Sequence, residues 1–365
     1  MTIDVHSHWR PPALIEALRA RTKPPLVETG ADGIDVLIDV LRTKSASTPL
    51  AEAFDDVDRR LADMDAHGVT TAALSLHGQF RWIEALPAAE SLPLVRLFND
   101  GLGEICANHP GRFVGFSALP LADIDTAVAE LDRAMALPGM VGAQLPGNAF
   151  ETYAAVTGYR PLLAAADHHK AALFVHFGPR PGDPWPRVAA GTDNMTRRIG
   201  TLGMQASLSS NMLTLCMTDI LDDYAEARIQ LHNLGGNIAF EVERLDHRNY
   251  LDTPDEPLPS TRLARPNVFV DCNSFGPRAI EAGISAYGAE MIVYGTDGTA
   301  FGCDWTNKAL ARARIAPHER EAILHHNAAR WRPNRLAQCP IGVPADQVDQ
   351  ASSRFLSRPG RTPAG

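Results

Sequence analysis

The chain has 365 residues, 45% hydrophobic and 21% charged, with a formal net charge of −9. That balance is ordinary for a globular enzyme and gives no footing for a nucleic-acid backbone or an anionic membrane surface. No apolar run approaches a membrane span, and the five scattered cysteines (Cys106, Cys216, Cys272, Cys303, Cys339) include no CxxC pair, so a reduced, cytoplasmic protein is expected.

The first strand is predicted over 2–6 with no signal peptide ahead of it, followed by a helix over 12–21. Residues 23–54 are punctuated by Pro and Gly and read as a small cap or insertion over one end. Further strands are predicted at 69–76, 113–119, 140–145, 172–176, 228–232, 268–272 and 291–296. Helical patterns lie between them, at 57–67, 92–109, 123–136, 159–169, 211–225 and 278–287, and the last helix at 317–331. Two polar stretches, 178–210 and the Pro-rich run before 268, interrupt the alternation. From Pro333 the chain turns Pro-rich and polar. The expected organisation is one barrel domain over 1–335 and a C-terminal tail over 336–365.

Eight short strands, each followed by a helix, are the pattern of a (β/α)8 TIM barrel. The runs are continuously apolar, as parallel strands covered on both faces require. A doubly wound sheet gives a similar alternation, but no Gly-rich phosphate loop follows the first strand. His6 and His8 follow it instead, and side chains two apart on a strand point the same way.

In a barrel, the C-terminal ends of the strands converge on one mouth. Polar residues close several apolar runs here: His6 and His8 on the first strand, His176 on the fifth, His232 on the sixth, Asp297 on the eighth. One strand-end His by itself is ordinarily a hydrogen-bonded loop residue. Five such residues on four strands point to a metal and catalytic site. His77, just past the second strand, is positioned to touch substrate, and Trp9 and Arg10 are expected to line the pocket.

The chain resembles the amidohydrolase superfamily, in the branch of the aminocarboxymuconate semialdehyde decarboxylase. The resemblance covers about 3–331. It rests on Asp4-Val5-His6-Ser7-His8, Asn108-His109-Pro110-Gly111-Arg112-Phe113, Phe116-Ser117-Ala118-Leu119-Pro120-Leu121, Tyr294-Gly295-Thr296-Asp297 and Asn327-Ala328-Ala329-Arg330. It implies one divalent metal, zinc for preference, held by His6, His8, His176 and Asp297. It gives His232 a catalytic role, with Asp297 as a second proton acceptor. Such a set leaves one net positive charge on a divalent ion and makes hydroxide available near neutral pH. Arg244 resembles an arginine that binds the substrate carboxylate, often across a homodimer interface, and a planar guanidinium suits that partner.

Binuclear relatives bridge two metals with a modified Lys. This chain has four lysines (Lys23, Lys44, Lys170, Lys308), none placed to bridge. Lys170 precedes His176 by about 20 Å of extended chain, so a single metal is expected. The sequence departs from the family at His232-Asn233-Leu234-Gly235-Gly236, one residue longer than the usual His-x-Gly-Gly, and its Gly pair is expected to let backbone approach a ligand. The pairs His168-His169 and His325-His326 read as structural. The function expected is non-oxidative decarboxylation of an unsaturated or aromatic carboxylic acid. The alternative is a hydrolase (C–C, ester or amide) or hydratase, because the same ligands serve both.

Overall fold

The computed structural model describes residues 1–331 apart from 32, 41–46, 50–55, 78–79, 185–196 and 299–301. The expected tail, 336–365, lies outside the described residues, as does the part of the polar stretch 178–210 from 185 to 196. Eight parallel strands form one sheet in chain order. They are β1 (Thr2–Trp9), β5 (Val69–Leu76), β6 (Phe113–Ser117), β7 (Met140–Pro146), β8 (Ala172–His176), β9 (Arg228–Leu231), β10 (Val268–Asp271) and β11 (Ile292–Val293). Two backbone bonds tie the last strand to the first and close the barrel: Val5 N–H donates to the Tyr294 carbonyl at 3.0 Å, and Asp297 N–H to the His6 carbonyl at 2.8 Å. The architecture is a (β/α)8 barrel.

The barrel is packed, not hollow. Ile3, Val5, Val114, Phe116, Phe174, Phe269 and Val293 fill its interior. Ala328 and Trp331 of the final helix join the same cluster, with the Trp331 ring 5.8 Å from that of Phe116. A larger apolar layer lies between strands and helices. The amphipathic helices that cover it begin at readable caps. Asp56 accepts from Arg59 N–H at 2.9 Å and Asp123 from Thr126 N–H at 2.8 Å, each satisfying an orphan first-turn donor.

The insertion after β1 is more ordered than its composition suggests. It forms an antiparallel sheet of β2 (Leu26–Thr29), β3 (Asp35–Ile38) and β4 (Ser47–Pro49). The Arg81–Asp39 ion pair at 3.1 Å and the Val40 N–H to Arg81 carbonyl bond fasten it to the loop after β5. The polar stretch after β9 contains a helix, Ile238–Asp252, that periodicity did not betray. Its buried side is narrow and large apolar residues occupy its outer face, Phe240, Tyr250 and Leu251 all being exposed. No helix among the described residues is long and apolar enough to cross a membrane.

Candidate metal centre

An irregularity in β1 builds the centre. Asp4 pairs with Ala72 and Ser7 with Leu74, so three steps on β1 oppose two on β5. Such a bulge reverses which residues face inward. Val5 packs in the barrel interior, and the next residue, His6, also turns in, its ring 4.8 Å from Phe174. His8 follows on the same side, 5.2 Å from His6.

The other strand ends converge on these two rings. His176 lies 5.4 Å from His6 and 5.2 Å from His8, and His232 lies 5.4 Å from His6. Asp297 Oδ1 is 3.3 Å from His8 Nε2 and 3.8 Å from His6 Nε2. Its backbone takes the left-handed φ of 55°, uncommon for a non-glycine residue and typical of functional positions. Ligand atoms of His6, His8 and Asp297 lie within 4.8 Å of one another, as do those of His6, His176 and His232.

Surrounding groups set the tautomers. His6 Nδ1 donates to Asp271 Oδ2 at 2.9 Å, and His176 Nδ1 to the Phe177 carbonyl at 3.1 Å. In a neutral imidazole the other nitrogen then carries a lone pair. His6 Nε2 is fully buried and has no hydrogen-bond partner, as suits a nitrogen that binds an ion. His8 Nδ1 meets Ser75 Oγ at 2.9 Å. His232 is different: its Nε2 accepts the Phe177 N–H at 3.0 Å, Asn233 lies 2.7 Å from Nδ1, and the ring stacks flat on His176 at 4.5 Å.

Burial holds His8, His176 and His232 well below the ordinary histidine range, and neighbouring imidazoles add to the effect for each. All three stay neutral, the form that binds a metal. Burial also opposes charge on His6, but Asp271 and Asp297 outweigh it and raise its pKa. These residues fit a divalent ion: a buried nitrogen without a partner, neutral imidazoles around it and a carboxylate at the open side.

Asp271 was missed in the sequence, although it closes the apolar run Val268-Phe269-Val270 by the same strand-end rule. It is fully buried and also accepts Asn233 N–H and Asn273 N–H. Gly295 makes room for it, since a Cβ there would fall 2.7 Å from Asp271 Cβ and 3.1 Å from His6 Cβ. Asp4 does comparable work below, accepting Thr296 Oγ1–H at 2.6 Å and His6 N–H at 3.1 Å. It thereby locks the strand end bearing His6 to the one bearing Asp297.

The remaining candidates separate. His77 lies at the mouth, its ring 5.3 Å from His8. Trp9 does not line the pocket. It faces the opposite way from His8, into the layer between strands and helices, with ring carbon Cζ3 3.8 Å from where a Cβ on Gly101 would stand. Arg244 lies on the helix Ile238–Asp252, 87% exposed and 3.8 Å from Glu241. The Gly235-Gly236 pair admits protein rather than ligand. Asn233, Leu234, Gly235 and Gly236 all take left-handed φ between 50° and 87°, absorbing the extra residue, and a Cβ on Gly236 would strike Gln205 and Ser209. Lys170 caps its helix and pairs with Glu226 at 3.0 Å, at the far end of β8. His169 pairs with Asp132 at 2.7 Å and His325 meets Thr2 at 3.2 Å, both away from the mouth.

A parallel barrel whose strand ends gather four imidazoles and an aspartate is a metal-centred enzyme scaffold. The chain belongs to the amidohydrolase family, whose profile matches residues 3–331. It is 28% identical over 286 residues to gamma-resorcylate decarboxylase of Rhizobium sp., covering 75% of this chain and 86% of that one. Among solved structures it superposes on the apo form of Metarhizium anisopliae IDCase with a TM-score of 0.71 at 22% identity, covering 93% and 98% of the two chains. It also superposes on a dihydroxybenzoic acid decarboxylase from Polaromonas sp., solved with manganese and 2-nitroresorcinol, with a TM-score of 0.66 at 22% identity over 90% and 96%.

Proposed function

We propose that this protein is a divalent-metal-dependent, non-oxidative decarboxylase of an aromatic carboxylic acid with an adjacent ring hydroxyl. The observation that carries the reading is the match to gamma-resorcylate decarboxylase over 286 residues, together with the mouth geometry. His6, His8, His176 and Asp297 are the proposed ligands. Zinc suits three imidazoles and a carboxylate; manganese is the ion in one structural relative. When bound, such an ion supplies a fixed positive charge for the acid's oxygens.

The protein's own groups do the rest. Loss of CO₂ breaks the bond between ring carbon and carboxyl carbon, leaves its electron pair on the ring, and requires one proton there. His232, beside the ligand set, is the proposed group that moves this proton, and Asp297 shares that duty. His77 is proposed to contact the ring. Arg244 is proposed to hold the carboxylate of acid bound in a second copy of the chain. The exposed Phe240, Tyr250 and Leu251 on its helix support a homodimer. The four described cysteines are buried, in keeping with a reducing cytoplasm.

The test is product analysis. Metal-loaded enzyme given 2,6-dihydroxybenzoate and related hydroxybenzoates should release CO₂ stoichiometrically with the decarboxylated phenol. Consumption of water without CO₂ would establish a hydrolase or hydratase instead.

A further inference from the structure

We propose a second divalent-cation site, built from residues other than those of the mouth cluster and formed by Asp63, His67 and Cys303. Asp63 and His67 stand four residues apart at the end of the helix Val57–Ala66, so both face one way. Cys303 opens the helix Cys303–Arg312. One donor atom from each lies within 4.8 Å of the others. Carboxylate, imidazole and thiol from two separate elements are a donor set that zinc takes readily, with water completing the shell. One carboxylate and one thiolate balance the two charges of the ion. Binding replaces the Cys303 S–H bond by a sulfur–metal bond and releases that proton to solvent.

His67 gives the independent sign. It has an acceptor at each ring nitrogen. Nδ1 lies 3.2 Å from Asp63 Oδ1 and 2.8 Å from the Asp63 carbonyl, and Nε2 lies 3.3 Å from Asp304 Oδ1. A neutral ring carries one proton and so satisfies one side only. With that proton donated from Nε2 to Asp304, Nδ1 turns a lone pair towards the Asp63 oxygens. A cation held there by Nδ1, Asp63 and Cys303 resolves the conflict, and Asp304 becomes the outer carboxylate that orients the imidazole. Lys308 steadies Asp304 at 2.9 Å. The Asp63 side chain is open to solvent, while the Cys303 thiol is buried against Tyr294 and Thr296, so the three donors run from the surface inward. The competing occupant is a second proton, which would make His67 an imidazolium between two carboxylates.

Cobalt distinguishes the two. Among the described residues, the mouth clusters offer nitrogen and oxygen donors, so a thiolate-to-cobalt charge-transfer band marks a cysteine site. Metal-free full-length protein carrying Cys339→Ser should develop that band on titration with Co²⁺, and Zn²⁺ should abolish it. Cys303→Ser should remove the band, as should the surface changes Asp63→Asn and His67→Gln, which leave the buried thiol in place. His176→Ala, which disables the mouth, should retain it. No band in the folded protein, or a band that survives Cys303→Ser or His67→Gln, would overturn the proposal and leave the proton as the occupant.

Discussion

Asp271 Oδ2 accepts a hydrogen bond from His6 Nδ1 at 2.9 Å, with both side chains fully buried. The pair fixes the imidazole so that Nε2 faces the centre of the mouth. Outer carboxylates of this kind typically contribute a factor of about 10–100 in metal affinity. Asp271→Asn should therefore weaken the mouth ion by about that factor in a competition titration against a chelator, with the ligands themselves intact. Unchanged affinity would reduce Asp271 to a packing role.

His176→Ala should release the mouth ion and abolish turnover, since it removes one of four proposed ligands and leaves only His6, His8 and Asp297 to hold it. Metal content by elemental analysis, counted in a His67→Gln background, checks this directly. Retention of an equivalent of metal at the mouth would remove His176 from the ligand set.

His232→Ala separates chemistry from binding. Its Nε2 is already engaged by the Phe177 N–H at 3.0 Å, so the proposed set of four is filled without it. Metal should stay near the parent level while kcat falls about 10²–10⁴-fold, the usual weight of a general acid–base group. Metal lost in parallel with His176→Ala would make His232 a ligand.

His77 carries a pH signature. Burial first, then His8, pushes its pKa from 6.5 down to about 3. Below pH 6.5 the unfolded ring binds a proton that the folded ring refuses, so stability falls as pH falls from about 6.5 towards 3. Asp4, pushed by burial from 3.8 up to about 6, acts in the opposite sense between those values. Comparing metal-free parent with His77→Gln cancels the Asp4 contribution. The variant's urea midpoint should depend less on pH across this window, and equal slopes would contradict the assignment.

Arg244 tests assembly. It is 87% exposed and its ion-pair partner is Glu241, a residue of its own helix. Arg244→Ala should raise KM for the acid and leave metal content unchanged, and Arg244→Lys should recover only part of the loss because the bidentate geometry is gone. Mixed dimers of Arg244→Ala with His232→Ala chains should regain activity through one intact site. A verified heterodimer without activity would rule out the shared site.

The barrel and its ligand candidates were legible because both follow from local rules. Buried parallel strands need continuous apolar runs, and a mouth built from strand ends needs polar residues where those runs stop, as at His176 and His232. Residue identity also argued against a bridging lysine. What the linear pattern could not carry was direction and partnership. Whether Trp9 faces pocket or helix depends on the β1 bulge, a register relation with β5 that only the paired strands define. Asp271 is one more strand-end residue until the barrel closes and brings it, across 265 positions, against His6. Arg244 could not be placed by its neighbours in sequence either, because the helix beneath it shows its apolar residues outward. Pairing across the fold is a property of contacts between distant segments, so only the tertiary structure decided which nitrogen of each imidazole faces the centre.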